Sequence, residues 1–132
     1  MKKKKALLIE DDRPTGEACV YMLEKYGMEV AHVRRGEDAL EAAERQKPDV
    51  VLVDIRLAGE MDGYAVMKEF KRHPFLARVP ILIVTNYGLM QDVERGKASG
   101  AKEYLVKSDW SIREIAEKAL AYAEGAEAEK AI

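Results

Sequence analysis

Val50-Val51-Leu52-Val53-Asp54-Ile55-Arg56-Leu57 is the stretch that decides the fold. Its first four residues are apolar and three of them are β-branched, which predicts a strand buried on both faces, as in the centre of a parallel sheet. The run stops at an aspartate. Ligands of open parallel sheets bind just beyond the carboxyl ends of the strands. Asp54 therefore stands where chemistry is expected, and the rest of the chain is read for what else reaches that edge.

Upstream, Ala6-Leu7-Leu8-Ile9 is a second short apolar run, and it stops at Glu10-Asp11-Asp12. Pro14 suits a first helical turn capped by Asp12 or Arg13. Ala18, Cys19, Met22, Leu23 and Tyr26 form one helical face, and Gly27 ends it. Met28 to Val33 alternates and predicts a strand nearer the sheet edge, with Met28, Val30 and His32 on one side and His32 an ordinary strand residue. Glu37 to Gln46 predicts a helix with Ala39, Leu40 and Ala43 inward, stopped before Pro48.

Downstream, Leu57 to Gly63 reads as a loop and Tyr64 to His73 as a helix with Met67 and Phe70 inward. Pro80 opens the all-apolar run Ile81-Leu82-Ile83-Val84, which stops at Thr85. Gln91 to Ser99 gives the weakest helical pattern, because Gly96 lies inside it and few residues are strongly apolar. Glu103 to Val106 predicts a fifth strand ending at Lys107. Ser108 or Ser111 then caps a helix carrying Ile112, Ile115, Ala116, Ala119, Leu120 and Ala123. Strand then helix, five times over, predicts an α/β fold: a five-stranded parallel sheet, doubly wound as (βα)5. One domain is expected over residues 1–124, with 125–132 a short polar tail.

Composition agrees. A chain of 132 residues, 48% hydrophobic and 35% charged, is the size and make-up of one globular domain. A net charge of −2 gives no global bias toward nucleic acid. The single cysteine, Cys19, excludes an internal disulfide and a multi-cysteine metal site, and its place on a helical face predicts a buried small hydrophobe. No apolar run approaches the ~20 residues of a membrane span, and Ala6 to Ile9 is too short for a signal-peptide core. A cytoplasmic protein without membrane contact is expected. Lys2 to Lys5 read as a solvated lead-in.

The strand ends supply the chemistry. The first delivers Glu10 and Asp11, the third Asp54, the fourth Thr85 and the fifth Lys107. Close carboxylates become tolerable around a hard divalent cation such as Mg²⁺. A hydroxyl and an ammonium suit phosphoryl oxygens. A carboxylate can attack phosphorus to give an aspartyl phosphate. Each residue alone has a plainer reading, as a helix cap or a surface charge; the argument rests on all of them meeting at predicted strand ends.

With these pieces the chain resembles a receiver domain of the two-component response-regulator family, of the single-domain, chemotaxis-regulator type with a flavodoxin-like fold. The matching motifs are Leu7-Leu8-Ile9-Glu10-Asp11-Asp12, Val50-Val51-Leu52-Val53-Asp54, Met61-Asp62-Gly63, Pro80-Ile81-Leu82-Ile83-Val84-Thr85 and Ala101-Lys102-Glu103-Tyr104-Leu105-Val106-Lys107, spread from about Lys4 to Ala123. The resemblance implies that Asp54 is the phospho-acceptor. It makes Asp11 a direct Mg²⁺ ligand, Glu10 a ligand through water, and the backbone carbonyl of Arg56 a further ligand, with Asp12 a helix cap. Thr85 and Lys107 would bind phosphoryl oxygens, and Tyr104 would be the switch aromatic that packs inward when Thr85 moves. It implies a sensor histidine kinase or phosphotransfer protein as donor, a protein target of unstated identity, no direct nucleic-acid binding, a monomer or weak dimer, and no enzymatic role beyond its own phosphorylation and dephosphorylation. The tail after Gly125 leaves no room for an output domain, so a regulator acting through partners, or a fragment of a longer protein, is expected.

The chain departs from the family pattern in three places. The loop Leu57 to Gly63 lacks a common proline and is one residue longer than usual. Asn86 stands where a very small residue is usual, and with Arg56 and Tyr87 is expected to tune rates; slow phosphoryl turnover follows, and Arg56 could partly neutralise the acidic cluster. Ser108 replaces the proline after Lys107. A cis bond before serine costs about 3–4 kcal/mol, so a trans turn and a differently aimed Lys107 are expected. Among rivals, a haloacid-dehalogenase-type phosphohydrolase would carry an acid where Arg56 stands. A flavodoxin-like cofactor binder would carry a Ser/Thr/Gly-rich loop in place of Glu10-Asp11-Asp12. The remaining rival is a receiver-fold interaction module that is never phosphorylated.

Overall fold

The computed structural model describes residues 2–125; the expected tail beyond Gly125 lies outside them. The strands are β1 (Lys5–Ile9), β2 (Glu29–Val33), β3 (Val50–Val53), β4 (Ile81–Thr85) and β5 (Glu103–Val106). The helices are α1 (Arg13–Lys25), α2 (Ala39–Gln46), α3 (Gly63–Lys71), α4 (Met90–Ala98) and α5 (Ile112–Ala123). All strand pairs are parallel, in the order β2-β1-β3-β4-β5. The chain reverses direction across the sheet between β1 and β3, the switch point at which doubly wound sheets bind ligands.

Alternation along the strands sorts the apolar residues to two faces. Ala6, Leu8, Val50, Leu52, Leu82, Val84 and Leu105 pack with Cys19 and Leu23 of α1 and with Ile115, Ala116 and Ala119 of α5. Leu7, Ile9, Val51, Val53, Ile81, Ile83 and Tyr104 pack with Ala39 and Ala43 of α2 and with Val66, Met67 and Phe70 of α3. All four residues of β3 are buried, as a doubly covered central strand requires. Each large aliphatic residue buried there contributes about 1.5–3 kcal/mol.

Local signals set the helix ends. Asp12 caps α1, its side chain accepting from the Thr15 N–H, and Gly27 follows at φ +85°. Ser111, not Ser108, caps α5, in a reciprocal box with Glu114. Two expectations need correction. Lys5 is no lead-in residue: it opens β1, its N–H donating to Asp49 and its ammonium to the Gln46 carbonyl. The helix expected from Glu37 begins with a 3-10 turn over Gly36–Asp38, and α2 proper starts at Ala39.

Candidate functional site

The sheet ladder continues one residue past three strands and fixes the rim. The Glu10 N–H donates to the Val33 carbonyl at 3.0 Å, the Asp54 N–H to Ile9 at 3.0 Å and the Lys107 N–H to Thr85 at 2.8 Å. These bonds hold Glu10, Asp54 and Lys107 side by side where their strands end. Glu10 and Asp54 are 3% and 7% exposed and Thr85 is fully buried, so the group lies in a low-dielectric pocket.

The Lys107 ammonium bridges the two acids, at 2.6 Å from Glu10 Oε1 and 3.1 Å from Asp54 Oδ2. Burial raises the Glu10 carboxyl above its ordinary value, against the lowering effect of its bond to Lys107. Burial pulls the Lys107 ammonium down, but its bonds to Glu10 and Asp54 outweigh that and raise it. All described peptide bonds are trans, the Lys107–Ser108 bond included, and Lys107 still reaches both acids.

Asp54 Oδ1 is buried and has no hydrogen-bond partner. An orphaned buried acceptor costs at least ~1–3 kcal/mol. Carboxylate oxygens of Glu10, Asp11 and Asp54 lie within 4.8 Å of one another. Three acids so close, with one lone oxygen among them, fit a hard divalent cation.

Thr85 and Tyr104 meet at one residue. The Tyr87 N–H donates to Thr85 Oγ1 at 3.4 Å, and the Tyr104 hydroxyl donates to the Tyr87 carbonyl at 2.5 Å. Tyr104 is packed inward at 9% exposure, and burial pushes its phenol up to about 12. The Arg56 guanidinium stacks on the Tyr87 ring, 4.3 Å from its centre. It is thus engaged there, where the sequence suggested that it neutralises the acidic cluster. Asn86 is exposed and lines a cleft of about 270 Å³ with Glu10, Lys107, Trp110 and Ile112.

Two residues beside the acidic pair, His32, read only as an ordinary strand residue, and Arg34, not singled out by the sequence, support it in the structure. His32 Nε2 lies 2.9 Å from the Glu10 carbonyl and so donates to it, and Arg34 donates to the Asp11 carbonyl at 3.0 Å. Both come from the end of β2 and hold the backbone that carries the acidic pair. Such bonds to main-chain carbonyls leave no motif; the only signal is their position at a strand end beside the site.

In sequence and fold the chain is similar to known receiver domains. A family model described as the response regulator receiver domain matches residues 6–120. The chain is 36% identical over 102 residues to Protein PilH of Pseudomonas aeruginosa, covering 76% of this chain and 84% of PilH. It is 35% identical over 125 residues to transcriptional regulatory protein ZraR of Escherichia coli, covering 93% of this chain but only 28% of ZraR. Among solved structures, the receiver domain of a Pseudomonas aeruginosa sensor histidine kinase, with a magnesium ion coordinated in its active-site cleft, superposes with a TM-score of 0.83 at 30% identity, covering 94% of this chain and all of that one.

Proposed function

Because the chain belongs to the response regulator receiver domain family, we propose that it is a phospho-accepting signalling switch whose acceptor is Asp54. The supporting observation is the split environment of that carboxylate: Oδ2 is held by Lys107 while Oδ1 is buried without a partner. One oxygen is oriented by the ammonium and the other is left for a cation to satisfy.

The donor is a phosphohistidine on a sensor histidine kinase or a phosphotransfer protein. The Asp54 carboxylate attacks phosphorus through one of its oxygens, the O–P bond forms as the P–N bond breaks, and the electron pair leaves with the imidazole nitrogen. Glu10, Asp11, Asp54 and the backbone carbonyl of Arg56 would hold Mg²⁺. When bound, Mg²⁺ neutralises charge on the carboxylates and on the phosphoryl oxygens. Lys107 turns its ammonium from Asp54 toward one phosphoryl oxygen, and the Thr85 hydroxyl donates to another. That bond draws on the same hydroxyl that accepts from Tyr87, so occupancy at Asp54 is felt at Tyr87 and Tyr104. Phosphorylation then shifts the population of arrangements of α4 and its flanking strands, and partner binding with it.

Phosphoramidate, which carries a P–N bond, tests the reading. With Mg²⁺ it should place an acid-labile, hydroxylamine-sensitive phosphate on the native chain and none on Asp54→Asn. An acid-stable phosphate, or equal labelling of both proteins, would overturn it.

A further inference from the structure

The loop between β3 and α3 carries the Arg56 carbonyl, and its tip is tied down by a residue from another loop. Glu37, in the 3-10 turn after β2, accepts through Oε2 from the Glu60 N–H at 3.2 Å and from the Arg35 guanidinium at 2.8 Å. Arg35 also forms a parallel bridge with Ala58. Gly59 is pressed against the carboxylate: a Cβ there would lie 2.5 Å from Glu37 Oε2, and its φ of +92° is one that L side chains rarely adopt. The bond from Arg35, with the backbone N–H groups of Glu37 and Glu60, holds the Glu37 carboxyl down at about 2.

At the other end, the Asp54 N–H is fixed to Ile9. Ile55, Arg56 and Leu57 therefore span the gap between two anchored points, Asp54 and Ala58. So short a segment leaves its carbonyls little freedom. This loop has no proline to stiffen it, and the Glu37 staple supplies the constraint from outside.

We propose that Glu37 is a positioning residue for the cation site: by pinning the tip of the β3–α3 loop it sets the direction of the Arg56 carbonyl. The inference rests on the reading of that carbonyl as a Mg²⁺ ligand. Partners that orient ligands are typically worth about 10–100-fold in metal affinity. Mg²⁺ demands near-octahedral geometry whereas Ca²⁺ tolerates irregular sites, so a misdirected carbonyl weakens Mg²⁺ more than Ca²⁺.

The test is calorimetric titration of the chain with Mg²⁺ and separately with Ca²⁺. Glu37→Ala should weaken Mg²⁺ binding by about tenfold and Ca²⁺ binding much less, with Glu37→Gln, which keeps an acceptor oxygen, falling between. Gly59→Ala, which pushes the tip off the carboxylate from the opposite side, should shift the Mg²⁺/Ca²⁺ ratio the same way, and it decides the matter should Glu37→Ala not fold. Native-like Mg²⁺ affinity in the variants, or equal loss of both ions, overturns the staple alone. A native chain that binds neither ion overturns the cation site as well.

Discussion

The Tyr104 hydroxyl donates to the Tyr87 carbonyl at 2.5 Å, and the same residue's N–H donates to Thr85 Oγ1 at 3.4 Å. Tyr87 thus ties the rim hydroxyl to the inward tyrosine through one residue's backbone. Tyr104→Phe keeps the ring and deletes the bond. It should cost about 1 kcal/mol in denaturant unfolding and speed hydrogen exchange at Tyr87 and Gly88. Unchanged exchange there would mean that the bond does not hold the loop.

Gly96 lies over the Tyr104 ring. A Cβ at this position would fall 2.6 Å from Tyr104 Cδ2 and 2.8 Å from Ile83 Cδ1. Helix propensity favours alanine over glycine by about 1 kcal/mol, but overpacking costs about 1–3 kcal/mol. Gly96→Ala should therefore lower the urea midpoint or turn Tyr104 outward, seen as a rise in tyrosine accessibility. A simple gain in stability would contradict the packing described.

Burial pushes the Cys19 thiol from its ordinary 9 up to about 12. Thiolate is the reactive form, so the native protein at pH 8 should resist alkylation and the urea-unfolded protein should react. The folded-state value is the raised one, so the folded chain binds this proton more tightly than the unfolded chain. The contribution is full below pH 9 and is lost as pH climbs toward 12. Unfolding midpoints of native protein should therefore fall more steeply above pH 9 than those of Cys19→Ala; parallel curves would count against this burial.

Asn86 lines the cleft that also reaches Glu10 and Lys107. In the proposed function its side chain screens a phosphoryl group on Asp54 from water. Asn86→Ala should shorten the aspartyl phosphate lifetime several-fold, followed by loss of acid-labile phosphate with time; an unchanged half-life would remove Asn86 from the account.

Legibility in the sequence followed the physics of each signal. Val50 to Val53 and Ile81 to Val84 were readable because two covered faces demand unbroken apolar runs, and the rim residues followed from where those runs stop. The helix around Gly96 read weakly for a reason the structure supplies: the ring of Tyr104 fills the space where a side chain would sit. His32, Arg34 and Glu37 were silent as site residues because they act on main-chain groups of other loops, which no spacing rule records. The preference of the Arg56 guanidinium for the Tyr87 face depends on a loop geometry that the sequence does not display.

The most direct test is intact mass after incubation with acetyl phosphate, beside Asp54→Asn and with Mg²⁺ present or chelated. One added phosphoryl group on the native chain only, lost on chelation, is the predicted result. No addition to a folded native chain with Mg²⁺ present, or addition that survives Asp54→Asn, would contradict the account.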